Sequence, residues 1–373
     1  MKRTILTLSI LGLICSSAFA LPQYSITPLV THGSPDSYAT GINDSGKIVG
    51  YTVDENGLSS PKVWDLAGNA TPLPALANSD GHAEPTRVNA SGFISGLSRT
   101  PTGDTHAVMW KPDGTIVDIP TLGGVTAFAQ DISNSGVVVG SSYVANGGSH
   151  AFTWTEAGGL VDYGSFNSTD RNYHAGFNAV NDAGKKGGTG YRLFSPYKAS
   201  ISLPGETGVT DISPPAQYSQ GMVLGMNEGG TTVGYQNING RGSPHPVIFN
   251  EDLSLTDLGT LELGEGWAID VNDAGVIVGR VFGFDDVTGE QIMKAFVYTE
   301  GRMYDLMDLV NQAEGTRDWT LFFEATSINN SGQIVGEGLY KGEVRPFVLS
   351  VVPEPSTLTA IALCGVMVRR QRR

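Results

Sequence analysis

Three observations predict an all-β fold: a single seven-bladed β-propeller of repeats about 46 residues long, its ring closed by the N-terminal strand. One short motif recurs seven times, and the glycines closing its copies stand 46, 44, 48, 46, 45 and 57 residues apart. The chain of 373 residues holds 49 Gly and 19 Pro among many short apolar runs, which suits strands joined by tight turns. A lone strand-like stretch before the first motif matches what the last repeat lacks. The alternative with the same repeats is an open β-solenoid, and that stretch separates the two.

The first copy of the motif reads Ile42-Asn43-Asp44-Ser45-Gly46-Lys47-Ile48-Val49-Gly50. It returns from Val88 to Gly96, Ile132 to Gly140, Val180 to Gly188, Met226 to Gly234, Val271 to Gly279 and Ile328 to Gly336. The Asn side chain can cap a turn, the next two residues fill the bend, and the first Gly takes a positive-φ position. A hairpin joining two strands follows. The Ile-Val pair after the turn suits a strand buried on both faces, and the closing Gly lets another backbone approach closely.

A second column begins ten or so residues later: Ser60-Pro61-Lys62-Val63-Trp64, His106-Ala107-Val108-Met109-Trp110 and His150-Ala151-Phe152-Thr153-Trp154. In the fourth repeat the expected match is Ser195-Pro196-Tyr197-Lys198-Ala199, and the last three begin at His245, Lys294 and Arg345. The third and fifth positions share one strand face and are mostly bulky, as a core between blades requires. Asp118-Ile119-Pro120-Thr121-Leu122 and Asp257-Leu258-Gly259-Thr260-Leu261 stand for a third column, an outer strand that tolerates Pro at an edge. The seventh repeat lacks such a strand, and Gln23 to Val30 supplies one, so the ring closes without a free edge. The fourth repeat is the weakest copy, because Lys185-Lys186-Gly187 replaces its apolar strand.

The two ends read as addresses. Lys2 and Arg3, an apolar run from Ile5 to Cys15 and Ala18-Phe19-Ala20 describe a signal peptide (1–20) cleaved after Ala20 to leave Leu21 first. At the other end Pro353-Glu354-Pro355 precedes an apolar run from Leu358 to Val368 and then Arg369, Arg370, Arg372 and Arg373. This order resembles the PEP-CTERM sorting signal of Gram-negative bacteria (353–373). The resemblance implies recognition by an exosortase, transient membrane insertion through Leu358 to Val368, a cut near the tripeptide, and a secreted or cell-surface product. Arginines held on the cytoplasmic side agree with that orientation. The apolar run is about 17 Å of helix, short of a ~30 Å hydrocarbon core, so it suits a temporary anchor.

The domain between, 21–352, resembles the HAF family of extracellular repeats through columns such as His150-Ala151-Phe152. That resemblance implies architecture more than activity. PEP-CTERM systems are associated with exopolysaccharide, so it also implies a non-enzymatic binding or scaffold module with extracellular polysaccharide as partner. A glycan-active propeller enzyme, hydrolase or lyase, is the alternative.

Composition narrows the chemistry. Without the basic residues of the two ends and Glu354, 17 basic residues face 36 acidic ones, a surface that repels phosphate backbones and argues against nucleic acid. The two cysteines, Cys15 and Cys364, fall in the end segments, so the domain has neither disulfide nor thiolate metal site. His106, His150 and His245 share a column in three different repeats, as do His82 and His174 in another, which spreads them apart and favours a structural role. Asp44, Asp182 and Asp273 read as turn formers on separate repeats, not as the carboxylate pair of a glycosidase. The loops Asp54-Glu55-Asn56-Gly57 and Asp285-Asp286-Val287-Thr288-Gly289-Glu290 are open to calcium but lack the twelve-residue calcium pattern. No catalytic residue and no cofactor is expected. The extra length of the seventh repeat, Asp305 to Ala325, makes Arg317, Asp318 and Trp319 a candidate ligand surface. A short structural plug is the other reading, and the family resemblance implies such a segment.

Overall fold

The computed structural model describes residues 21–167, 169–214, 220–238, 242–284, 288–310 and 318–353. Among these it is all β apart from one 3-10 turn, Leu306–Leu309. Ala18, Ala20, Glu354, Pro355, the run Leu358 to Val368 and Arg369, Arg370, Arg372 and Arg373 lie outside the described residues. Leu21 packs half-buried against the core of the last repeat, and Pro353 is exposed. No helix among the described residues is long and apolar enough to cross a membrane.

The strands of each repeat pair antiparallel in sequence order. They form four sheets of four strands and one of twelve. The large sheet is three such groups, from repeats two, three and four, joined by single parallel pairs at Thr105–Thr126 and Ser149–His174. Repeat three consists of Gly123–Ile132, Val138–Val144, Ser149–Thr155 and Gly159–Gly164. Repeat four consists of Tyr173–Val180, Lys186–Arg192, Lys198–Ser202 and the two-residue Thr210–Asp211. The last repeat brings three strands, Trp319–Ile328, Ile334–Tyr340 and Glu343–Val352. Its fourth is the N-terminal Gln23–Pro28, paired from Gln23–Val352 to Pro28–Phe347.

The motif explains the hairpins. Asn43 Oδ1 accepts the N–H groups of Ser45 at 3.1 Å and Lys47 at 3.0 Å, while Gly46 takes φ +78°. The first strand of the repeat carries a bulge between Ala39 and Gly41, and a Cβ on Gly50 opposite would run into the Tyr38 carbonyl. The closing glycine therefore admits the bulged strand of its own repeat.

Buried residues of successive repeats interleave. Trp64 packs on Val335 and Val348 of the last repeat, and Trp110 on Val49 of the first. Their indole N–H groups donate to the Val30 and Pro74 carbonyls at 2.8 and 2.7 Å, so neither ring strands a polar atom. Each such ring contributes about 1.5–3 kcal/mol through burial.

Two expectations are corrected. In the fourth repeat, Gly188 pairs with Ser200 as Gly140 pairs with Phe152. The second column there is therefore Lys198-Ala199-Ser200-Ile201-Ser202, three residues beyond the expected Ser195–Ala199. The candidate ligand surface also fails at its aromatic residue. Trp319 is 3% exposed and packs against Phe322, Tyr340 and Phe347, because it begins a core strand. Asp318 pairs with Lys341 at 3.1 Å, and Arg317 lies outside the described residues.

Candidate functional site

The motif asparagines have a second function. Each keeps its Oδ1 on its own turn and turns its amide toward the next repeat. Asn43 Nδ2 donates to the Asn89 carbonyl at 2.9 Å and Asn89 Nδ2 to that of Ser133 at 2.9 Å. Asn181 donates to Asn227 at 3.5 Å, Asn227 to Asn272 at 3.0 Å and Asn272 to Asn329 at 3.1 Å. Asn329 then donates to Asn43 of the first motif at 2.9 Å. The one step without such a bond is from the third repeat, where Ser133 stands in place of Asn and its Oγ takes the Val137 N–H at 3.1 Å.

These turns surround a cavity of about 160 Å³. Asp44 and Asp273 line it with Glu228, and Asp182, bonded to Glu228 through its own N–H, stands next to them. Asp44 Oδ1 accepts the Asn330 N–H at 2.8 Å, Asp182 Oδ1 that of Ser135 at 2.7 Å, and Asp273 Oδ1 that of Glu228 at 3.0 Å. Glu228 accepts from Asp182 N at 2.8 Å and Asn134 Nδ2 at 2.9 Å, and burial pushes its carboxyl up. These carboxylates do more than form turns: they fasten neighbouring repeats. Among the described residues no group of three or more His, Cys, Asp or Glu could hold a metal.

Farther in, a cavity of about 380 Å³ lies among Thr40, Thr86, Arg87, Gln130, Asn178 and residues of repeats five and six. Asp131 and Asp270, which line the first cavity, play matching parts. Asp131 Oδ2 accepts the Val180 N–H at 2.8 Å, and Asp270 Oδ2 accepts the Ile328 N–H at 3.0 Å. Enclosure pushes the Asp131 carboxyl up to about 6, against the pull of Arg87. At the other end of the first strands Glu324 and Glu337 pair directly across Trp319–Ile328 and Ile334–Tyr340. Glu337 is buried, accepts the Ala39 N–H of the first repeat at 3.1 Å, and is pushed well above the carboxylate range by burial and by Glu324. Arg280 lies 3.5 Å from Glu324 and 4.0 Å from the Trp267 ring centre, and Tyr235 stacks on Trp267 at 5.4 Å. This carboxylate pair escaped sequence reasoning. Its signal was Glu337 directly after the closing Gly336.

On that same side, aromatic rings line the end of the fourth repeat. Tyr143 meets His174 edge-on at 6.1 Å, His174 stacks on Tyr191 at 4.9 Å, and Tyr191 meets Tyr197 at 4.6 Å. His174 Nδ1 is 3.0 Å from Ser149 Oγ, its buried Nε2 has no hydrogen-bond partner among the described residues, and burial pushes its pKa down. Tyr143, Leu193 and Tyr197 are more than a third exposed, and Phe194, at φ +65°, is fully exposed.

The histidine column behaves as expected and stays apart. His106, His150 and His245 pair with Asp118, Asp162 and Asp257 of their own outer strands, at 2.8, 2.9 and 3.1 Å. Lys294 does the same with Asp305 at 2.9 Å. Asp54 spends its carboxylate on the N–H groups of Asn56 and Leu58, which hold it below the usual range. Asp285, Asp286 and Val287 lie outside the described residues.

No family model and no curated protein matches the chain. Among solved structures it is similar to puromycin hydrolase at 12% identity and TM-score 0.53, covering 82% of this chain and 50% of that one. It is also similar to a prolyl endopeptidase, at 11% identity and TM-score 0.53, covering 89% of this chain and 51% of that one. YCF48 bound to a D1 peptide gives 11% identity and TM-score 0.49, over 90% and 97% of the two chains. The chain thus spans about half the length of the two peptidases. At these identities the likeness concerns the fold alone, and the fold is a β-propeller.

Proposed function

We propose that the chain is an exported, non-enzymatic binding or scaffold module of the cell envelope or extracellular matrix, built as a seven-bladed propeller. The observation that carries the reading is the aromatic surface where the third and fourth repeats meet, Tyr143, Tyr191, Tyr197 and Phe194, on a scaffold where Asp44, Asp131, Asp270 and Glu337 are occupied by backbone N–H groups. Exposed rings with polar tips suit the alternating apolar and hydroxyl faces of a sugar chain. Polysaccharide is therefore the partner we assign.

The test titrates the purified protein with the polysaccharide of the producing organism and follows both affinity and chain length. Saturable binding without shortening of the polymer is expected, and Tyr197→Ala should weaken it while leaving the melting temperature unchanged. Cleavage with turnover would transfer the protein to the glycan-active enzymes, with Glu324 and Glu337 the first residues to replace.

The seven-bladed ring is supported by the donation from Asn329 back to Asn43 and by the N-terminal strand paired to the last repeat. Deleting Gln23 to Val30 should sharply lower the melting temperature, and an unchanged melting curve would reject closure. Export by cleavage after Ala20 and exosortase sorting near Pro353-Glu354-Pro355 rest on the sequence. Intact mass from the native host, ending near Val352, is the expected result, and a mature chain ending at Arg373 would refute the sorting reading.

A further inference from the structure

Among the aromatic rings where repeats three and four meet, one group is neither exposed nor satisfied. His174 is 5% exposed, stacked on Tyr191 at 4.9 Å and 12° and set edge-on to Tyr143 at 6.1 Å. Its Nδ1 meets Ser149 Oγ at 3.0 Å, and its buried Nε2 has no hydrogen-bond partner among the described residues. A neutral imidazole satisfies Ser149 in either tautomer, as acceptor or as donor. An imidazolium carries N–H groups on both nitrogens, and at Nε2 the second one finds no acceptor. Repeat two shows what is missing. His82 holds the same column, and its Nε2 lies 3.4 Å from Glu84, two residues on. In repeat four that position is Gly176, where even a Cβ would meet the Ser141 Cβ of repeat three at 2.9 Å. The neighbouring repeat shuts out the carboxylate that would receive the proton.

The surrounding elements supply no substitute. Arg192 lies 3.7 Å from Asp170, His150 pairs with Asp162 at 2.9 Å, and Arg171 and Lys198 are themselves cations. Lys186 and Asp131 stand at the motif end of their strands, bonded to the Gly184 carbonyl and the Val180 N–H. The remaining titratable groups on these elements are Tyr143, Tyr173, Tyr191 and Tyr197. The ring face of Tyr191 attracts a cation, but that returns less than a buried, unpaired charge costs. We propose that His174 is an acid-sensitive latch on the aromatic surface: protonation releases its ring, and with it Tyr191 and Tyr143, so the surface is assembled near neutrality and dismantled by acid. The inference rests on the binding role proposed for that surface. Burial holds the His174 pKa below the ordinary 6.5, so the proton binds better once the ring is released. Assembly is therefore fully favoured above about 6.5 and is lost as pH falls below it.

Amide hydrogen exchange of the purified protein without polysaccharide, corrected for the intrinsic rate at each pH, tests the latch directly. From about pH 7.5 to about pH 5, residues 173–192 should lose about tenfold in protection, within the tenfold per pH unit that one linked proton allows. Residues 83–99, beside the partnered His82, should keep theirs, which separates the latch from general acid unfolding. His174→Phe keeps the stack, removes the titration and should flatten the response. His174→Gln also leaves Ser149 a partner, and it repeats the test where the first variant folds poorly. Affinity for the polysaccharide should fall about tenfold over the same range in the wild type and hold steady in the folded variant. Protection that ignores pH, an equal loss in a folded variant, or wild-type binding as tight in acid as near neutrality would each overturn the proposal. Absence of binding at every pH would instead overturn the polysaccharide reading, and the exchange result would judge the latch by itself.

Discussion

Repeats three and four adjoin in sequence and share the parallel pair Ser149–His174, yet their interiors are nearly opposites. Where repeat three places Val138, Val139, Phe152 and Trp154, the register sets Lys186, Gly187, Ser200 and Ser202 in repeat four. Lys186 is 5% exposed, donates to the Gly184 carbonyl at 2.7 Å and lies 4.9 Å from the Tyr163 ring of the preceding repeat. The buried Ser200 and Ser202 hydroxyls have no hydrogen-bond partner among the described residues. Repeat four keeps Ala175, Phe177, Val180 and Ala199 buried, while Leu193 and Phe194 stand exposed. Its second turn is Leu193-Phe194-Ser195 where repeat three has Ala145-Asn146-Gly147. A repeat held between two neighbours can lose part of its own core and still hold its place, because interfaces supply part of its stability. That freedom falls where the aromatic surface lies.

The comparison can be broken most forcefully from the side of repeat three. Trp154→Ser copies repeat four into a packed interior and should cost about 3–5 kcal/mol in denaturant unfolding. A cost near zero would show that repeat three does not depend on its ring either. The reverse exchange, Lys186→Met, removes a buried ammonium and should stabilise by about 1–3 kcal/mol, read the same way. Destabilisation would mean that the contacts to Gly184 and Tyr163 outweigh desolvation.

A third contrast is one of slope. Asp131 of repeat three has Ala179 as its counterpart in repeat four, and the raised pKa of Asp131 has a definite sign. Between its ordinary value of 3.8 and about 6 the folded protein holds more of this proton than the unfolded chain. Its contribution to stability is therefore present at low pH and is lost as pH rises through that window. Asp131→Asn should flatten this part of the stability profile, measured by thermal unfolding across the window. An unchanged slope would assign it to the other raised carboxyls, Glu228, Glu324 and Glu337. The smallest effect completes the asparagine series. Ser133→Asn supplies the missing donor toward repeat four and should add about 1 kcal/mol. A double-mutant cycle with Asn181 should show the gain to be a local one.

Much of this was legible in the residues. The motif turn, its glycines and the N-terminal strand could be read because each rests on local backbone chemistry or on strict spacing. Repeat four was misread by three residues because Pro196 and Tyr197 resemble the column in bulk, while its true members are Lys198, Ala199, Ser200, Ile201 and Ser202. Spacing from Gly188 carried the correct register, and side-chain size carried the wrong one. The acidic contacts stayed hidden because they join residues of different repeats, as Asp44 joins Asn330, and the Glu324–Glu337 pair because a bulged register, not plain alternation, sets the two side by side. Trp319 was misplaced for the opposite reason: an irregular insertion reads as surface, although its end is the start of a core strand.

The pairing of Gln23 with Val352 fixes more than the seventh repeat. Both ends of the folded body leave from one end of a single pair of strands. A tether at either end would therefore hold the body by this one pair of strands. The same adjacency suits circular permutation. Joining the ends by a short linker and reopening the chain between any two repeats should give a permuted protein with the same interfaces and no preferred beginning.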